Sequence, residues 1–198
     1  MKINGNILEK YTGKEGFLRV PAEVSTVGEE AFRGNDSLES VMLSEGTQVI
    51  EKYAFAECSG MASVELPDSI HTIGEYAFSD CKTVAEMFIP ESLEEIKEGT
   101  FRNCKNMLDV YLNDGLKSIG KYAFENCEYL TEVEIPKTVE KISSGAFKDC
   151  TRLKQVRFLS QNTLCDADAF EGCSSLVGIM GNLTVREKCS EIIMKNRK

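Results

Sequence analysis

The chain has 198 residues, 42% hydrophobic and 28% charged, with a formal net charge of −9. That length and apolar share are enough for one domain with a packed core, and they exclude a disordered polyelectrolyte. The acidic balance argues against nucleic acid and anionic membrane surfaces, and apolar runs of three or four residues exclude a membrane-spanning helix, which needs about 20.

In chain order, residues 1–19 read as an N-terminal hairpin cap. Lys2-Ile3, a turn at Asn4-Gly5-Asn6, and Ile7 to Tyr11 have hairpin chemistry. The opening Met1-Lys2-Ile3-Asn4-Gly5-Asn6 lacks the apolar core of a secretory leader.

Residues 20–182 are a repeat. Phe32, Phe55, Phe78, Phe101, Phe124, Phe147 and Phe170 recur every 23 residues. Three positions after each Phe stand Cys58, Cys81, Cys104, Cys127, Cys150 and Cys173, with Asn35 in the first unit. Leu, Met or Val follows at six, Val, Met or Ile at nine, Leu, Ile or Phe at eleven, and Ile at eighteen, as in Leu130, Val133, Ile135 and Ile142. Val64-Glu65-Leu66 alternates with period two, which predicts a short strand. Ile73, Ala77, Phe78 and Cys81 then share one face of a predicted helix of at most about three turns. Pro67, Pro90 and Pro136 close the strands, because proline cannot donate to a ladder. A unit this small buries its apolar face only by stacking on neighbours, which predicts seven or eight rungs and a parallel sheet about 35 Å long. Gly28, Gly74 and Gly120 share one repeat position and are expected as turn residues.

Residues 183–198 read as a C-terminal cap helix over about 185–195. Thr184-Val185-Arg186-Glu187 has the form of a capping box, and Val185, Cys189, Ile192 and Ile193 share a helical face. Closed ends predict a single domain spanning 1–198 and a monomer.

The motif C-x-x-L-x-x-V-x-I-P-x-x-V-x-x-I, as in Cys127 to Ile142, resembles the BspA-like, or Treponema pallidum type, bacterial leucine-rich repeat. The resemblance covers about residues 17–182. It implies an α/β solenoid: a right-handed leucine-rich-repeat superhelix with a parallel β-sheet on the concave face and short helices or turns on the convex face. It also implies a non-enzymatic module that binds a protein or glycan at a bacterial surface or on a host cell. The compartment is secreted or cell-surface by the resemblance, and cytoplasmic if the chain has no leader.

Evenly spaced cysteines are not C-x-x-C pairs, so they predict a buried thiol column and no metal. Asn35 in the same slot points to a side-chain donor reaching a backbone carbonyl. Cys165 and Cys189 leave the pattern on what read as neighbouring rungs, where a disulfide and two free thiols are both compatible with the spacing. The lone His71 is expected in solvent, and no nucleophile elbow, zinc helix motif or phosphate loop occurs, so neither an enzyme nor a cofactor is expected. Ligand contact is instead expected on the outward strand positions Met42, Glu65, Glu86, Phe88, Asp109, Tyr111, Glu132, Glu134 and Arg157, with Phe88 and Tyr111 on adjacent rungs inside an acidic rim. The competing reading is a structural spacer or self-associating array.

Overall fold

A computed structural model describes residues 1–196. The strands, numbered in chain order, begin with an antiparallel hairpin of β1 (Lys2–Asn4) and β2 (Ile7–Lys10). The chain then winds into a parallel-sheet solenoid of about eight turns. Each full rung gives one strand to each of two ladders. The first holds β3 (Phe17–Arg19), β5 (Ser40–Met42), β7 (Ser63–Glu65), β9 (Glu86–Phe88), β11 (Asp109–Tyr111), β13 (Glu132–Ile135), β15 (Gln155–Phe158) and β17 (Gly178–Met180). It is hydrogen-bonded in three runs, β3-β5-β7, β9-β11 and β13-β15-β17. The second ladder was not predicted. Its strands are two residues long: β4 (Thr26–Val27), β6 (Val49–Ile50), β8 (Thr72–Ile73), β10 (Glu95–Ile96), β12 (Ser118–Ile119), β14 (Lys141–Ile142) and β16 (Leu164–Cys165). β2 extends it at the N-terminal end by pairing in parallel with β4.

The predicted repeat helix does not form. Ile73 ends β8, Ala77 and Phe78 lie in a run of turns, and Cys81 follows it, all fully buried. The apolar face is as expected, but the backbone carrying it is different. Tyr76 and Asp80 have φ of 55° and 62°, which no α-helix of L-residues continues through. Alternate amides therefore point along the solenoid. Tyr76, Phe78 and Asp80 donate to Glu98, Thr100 and Arg102 on the next rung at 3.0, 2.9 and 2.8 Å. The amides between them close local turns, with Ala77 donating to Gly74 at 3.3 Å and Ser79 to Tyr76 at 3.1 Å. This is a third ladder made from turns, and an α-helix would consume the same amides internally.

The core is a set of columns. The seven Phe rings stack at centroid distances of 4.6–5.6 Å with interplanar angles of 2–16°. Tyr11 extends the column at the N-terminal end, 5.2 Å from Phe32. Beside them each repeat cysteine donates its thiol to the Phe carbonyl one rung back, as from Cys104 to Phe78 at 3.2 Å and from Cys150 to Phe124 at 3.1 Å. Asn35 does the equivalent through Nδ2 to the Gly13 carbonyl at 3.0 Å. The shared donor role anticipated for Asn and Cys is therefore the observed one. Gly74 is required by close approach and has no positive φ: a Cβ there would lie 2.5 Å from the Lys52 backbone nitrogen.

The C-terminal cap is two short helices, α1 (Leu183–Lys188) and α2 (Ser190–Asn196), where one was predicted. Val185, Cys189 and Ile193 are buried and Ile192 is half-buried. The N-cap is Asn182, whose Oδ1 accepts the Val185 amide at 3.1 Å, so the Thr184–Glu187 capping box is not what starts the helix. Asn182 is itself buried and donates to Thr163 O at 3.1 Å, which ties the helix start to the rung below.

All eight cysteines, Cys165 and Cys189 included, are free and buried. Burial pushes the thiols of Cys58 and Cys189 up to about 11 and that of Cys165 up to about 12.

Two outcomes follow from these columns. Phe101→Ala leaves a void between Phe78 and Phe124 and is expected to cost about 3–5 kcal/mol in urea unfolding; a cost under about 1 kcal/mol contradicts a continuous stacked core. The thiols give a pH dependence with a definite sign. For Cys58, Cys165 and Cys189 the folded pKa lies above the unfolded value, so the stability of keeping them neutral is fully present below about pH 8.5 and is lost as pH climbs through about 9–12. At pH 8 a thiol reagent should modify the native chain only as fast as it unfolds; rapid labelling of Cys104 would show that the column is open.

Candidate functional site

The residues singled out on the strands all lie on the outer face of the first ladder, because alternate strand residues face opposite sides and the intervening ones are turned inward. Met87, Val110, Val133 and Val156 are buried. One column runs Arg19, Met42, Glu65, Phe88, Tyr111, Glu134, Arg157 and Met180, and the other contains Glu86, Asp109 and Glu132. The register pairs Arg19 with Met42 and Met42 with Glu65 on β3-β5-β7, Phe88 with Tyr111 on β9-β11, and Glu134 with Arg157 and Arg157 with Met180 on β13-β15-β17.

Phe88 and Tyr111 are 62% and 48% exposed, and their rings stack at 4.5 Å with 11° between planes. Two aromatics held this way on neighbouring strands form a rigid apolar step that has already given up its side-chain entropy. Glu86 pairs in register with Asp109 two residues before the aromatics on the same strands, so both carboxylates flank the step. Glu134 on β13 forms an ion pair with Arg157 on β15 at 3.2 Å, whereas Glu65, Glu86, Asp109 and Glu132 form none among the described residues. Met42 is half-buried. It lines a shallow groove of about 290 Å³ with Arg19, Glu45, Glu65 and Pro67, which joins the sheet face to the turns beyond it.

Those turns hold residues that the sequence reading missed. Glu45, Asp68, Glu91 and Asp114 are each 13 positions after a repeat Phe and all exposed, so a second acidic column borders the same sheet. The 23-residue spacing was the signal available for it. Missed too was a groove of about 350 Å³ on the C-terminal helices, lined by Leu183, Arg186, Glu187, Ser190, Ile193 and Met194.

His71 is exposed, with Nδ1 3.0 Å from Thr72 Oγ1. Among the described residues, no group of three or more His, Cys, Asp or Glu is placed to hold a metal ion, and no helix is long and apolar enough to cross a membrane. Contact area and charge are what the outer face offers.

The model of the BspA type leucine rich repeat region matches in six copies, over residues 10–131 and 48–177. The chain matches no curated protein. Among solved structures it is similar to the leucine-rich-repeat protein of Treponema pallidum, at 31% identity and a TM-score of 0.59, covering 89% of this chain and 74% of that one. It is also similar to the pneumococcal vaccine antigen PcpA, at 17% identity and a TM-score of 0.62, covering 97% of this chain and 43% of that one, a likeness of fold alone. Leucine-rich repeats of this kind are typically non-enzymatic, protein-interaction modules. With matches running from residue 10 to residue 177, the chain belongs to the BspA-type leucine-rich-repeat family.

Proposed function

We propose that this domain binds a protein or glycan ligand through the outer face of its first sheet, the concave side of a right-handed superhelix, at a bacterial cell surface or a contact with a host cell. The observation that carries the reading is the stacked, half-exposed pair Phe88 and Tyr111 on the two-stranded run β9-β11. Interaction surfaces draw most of their energy from a few anchored aromatic residues ringed by polar ones, and this pair has that arrangement. Met42, Glu65, Glu86, Asp109, Glu132, Glu134 and Arg157 form the surround. The cross-rung stack also contributes to folding, as the interior Phe column does, but folding alone does not require it to be exposed.

The likeness to the Treponema pallidum repeat protein supports an interaction module of this architecture. A role in self-association would draw on a different region, the groove beside Leu183 and Met194, which are 63% and 66% exposed. Sedimentation velocity over a wide concentration range separates the two, with a constant monomer expected.

The site is tested by Phe88→Ser with Tyr111→Ser. Both side chains point away from the core, so the melting temperature should change little. Against a panel of immobilised matrix proteins and glycans, a ligand of the native chain should lose about 2 kcal/mol, roughly thirtyfold in Kd. Unchanged binding of every ligand by the double variant removes the site.

A further inference from the structure

We infer that the ligand's contact segment is cationic, an arginine- or lysine-rich stretch of protein laid across Phe88 and Tyr111; this rests on the proposed binding face and narrows it to one partner chemistry. The argument comes from how this solenoid treats charge. A residue and its counterpart 23 positions on are rung neighbours, about 4.8 Å apart in a parallel ladder. On other faces several such neighbours carry opposite charges and pair: Lys52 with Glu75, Lys105 with Glu128 and Lys117 with Glu94 at 2.7 Å, and Lys148 with Glu171 at 3.1 Å.

On the first sheet one such pair forms, Glu134 with Arg157, but one column beside it runs like-on-like. Glu86, Asp109 and Glu132 occupy one column on three successive rungs, and none forms an ion pair among the described residues. Glu45, Asp68, Glu91 and Asp114 repeat the same like-on-like stacking in the turns that leave these strands, and among the described residues none forms an ion pair. Between the two columns lies the aromatic step. The cations of this face are Arg19 on β3, Arg157 on β15, which is engaged with Glu134, and Lys137, which follows Asp114 in the turn column.

Like charges stacked on neighbouring rungs repel, and folding gains nothing from them. A cationic segment relieves that repulsion over the whole patch. A guanidinium also suits its centre, because it stacks on an aromatic face and donates to flanking carboxylates at once. The same negative field repels nucleic acid and acidic glycans, so among charged partners it selects a basic protein segment.

Calorimetric titration with a twelve-residue peptide alternating Arg and Ser, against a Gly-Ser peptide of equal length, tests this. The native chain should bind the Arg peptide alone, more weakly as salt rises. Two variants should each weaken that binding about tenfold: Phe88→Ser with Tyr111→Ser, and Glu86→Gln with Asp109→Asn and Glu132→Gln. The carboxylate variant should melt no lower than the native chain, since it removes repulsion. No binding of the Arg peptide at low ionic strength, or equal binding by native and variant chains, overturns the inference. An uncharged or acidic ligand that needs Phe88 and Tyr111 also overturns it while leaving the binding face intact.

Discussion

Every feature of this molecule answers to one constraint: each residue is stacked on its own equivalent one rung away. The parallel ladders set that distance at about 4.8 Å, and three of them run along the solenoid, two from strands and one from turns. A side chain is accepted in a column only if copies of it tolerate each other at that spacing. Flat rings do, and the Phe column is the result. A thiol does because it turns aside to the carbonyl of the rung behind, and that carbonyl has a second lone pair to offer: Phe78 O accepts both the Cys81 amide at 3.3 Å and the Cys104 thiol. Where backbones come closest, only glycine fits, as at Gly74.

The inward half of this logic is legible in the sequence because burial imposes identity at fixed spacing. The Phe, Cys and Ile columns and the first ladder follow from counting to 23. The second ladder is a different matter. A two-residue strand has no internal alternation, and Ile73, Ala77, Phe78 and Cys81 fit one face of a helix just as well as they fit a strand followed by turns. The sequence does contain a warning two positions after each Phe. Gly34, Asp80, Asn103, Asn126, Asp149 and Gly172 are all of the types that accept positive φ, and all adopt it. Glu57 in the same column obscures it, since glutamate has no such preference and takes φ of 63° because the ladder dictates it. At the C-terminal end the start of the helix was misassigned because two caps compete within three residues. Asn182 prevails because it can also satisfy carbonyls of the preceding rung, which Thr184 cannot reach from inside the helix.

The outer face was legible in position but not in consequence. Alternation along a strand says which residues point outward, and adjacency by 23 says that Phe88 meets Tyr111. It does not say how exposed the pair remains, or that the acidic turn column lies along the same side. Those depend on how far the turns rise above the sheet, which no local pattern encodes.

The stacking constraint also explains why function and regularity part company here. Repetition is obligatory in the core, so repeated residues carry little information about a ligand. On the surface, water screens neighbouring charges and repetition becomes optional. Several surface columns use that freedom to place opposite charges on neighbouring rungs and gain a weak ion pair, as Lys52 does with Glu75 and Lys117 with Glu94. The first sheet forgoes the gain over three successive rungs and keeps two large aromatic side chains partly in water beside them. Stability selects against both features separately, and they coincide on one face at the middle of the array. The proposed basic ligand segment would account for both at once, since burial of the rings and neutralisation of the carboxylates would then be one event.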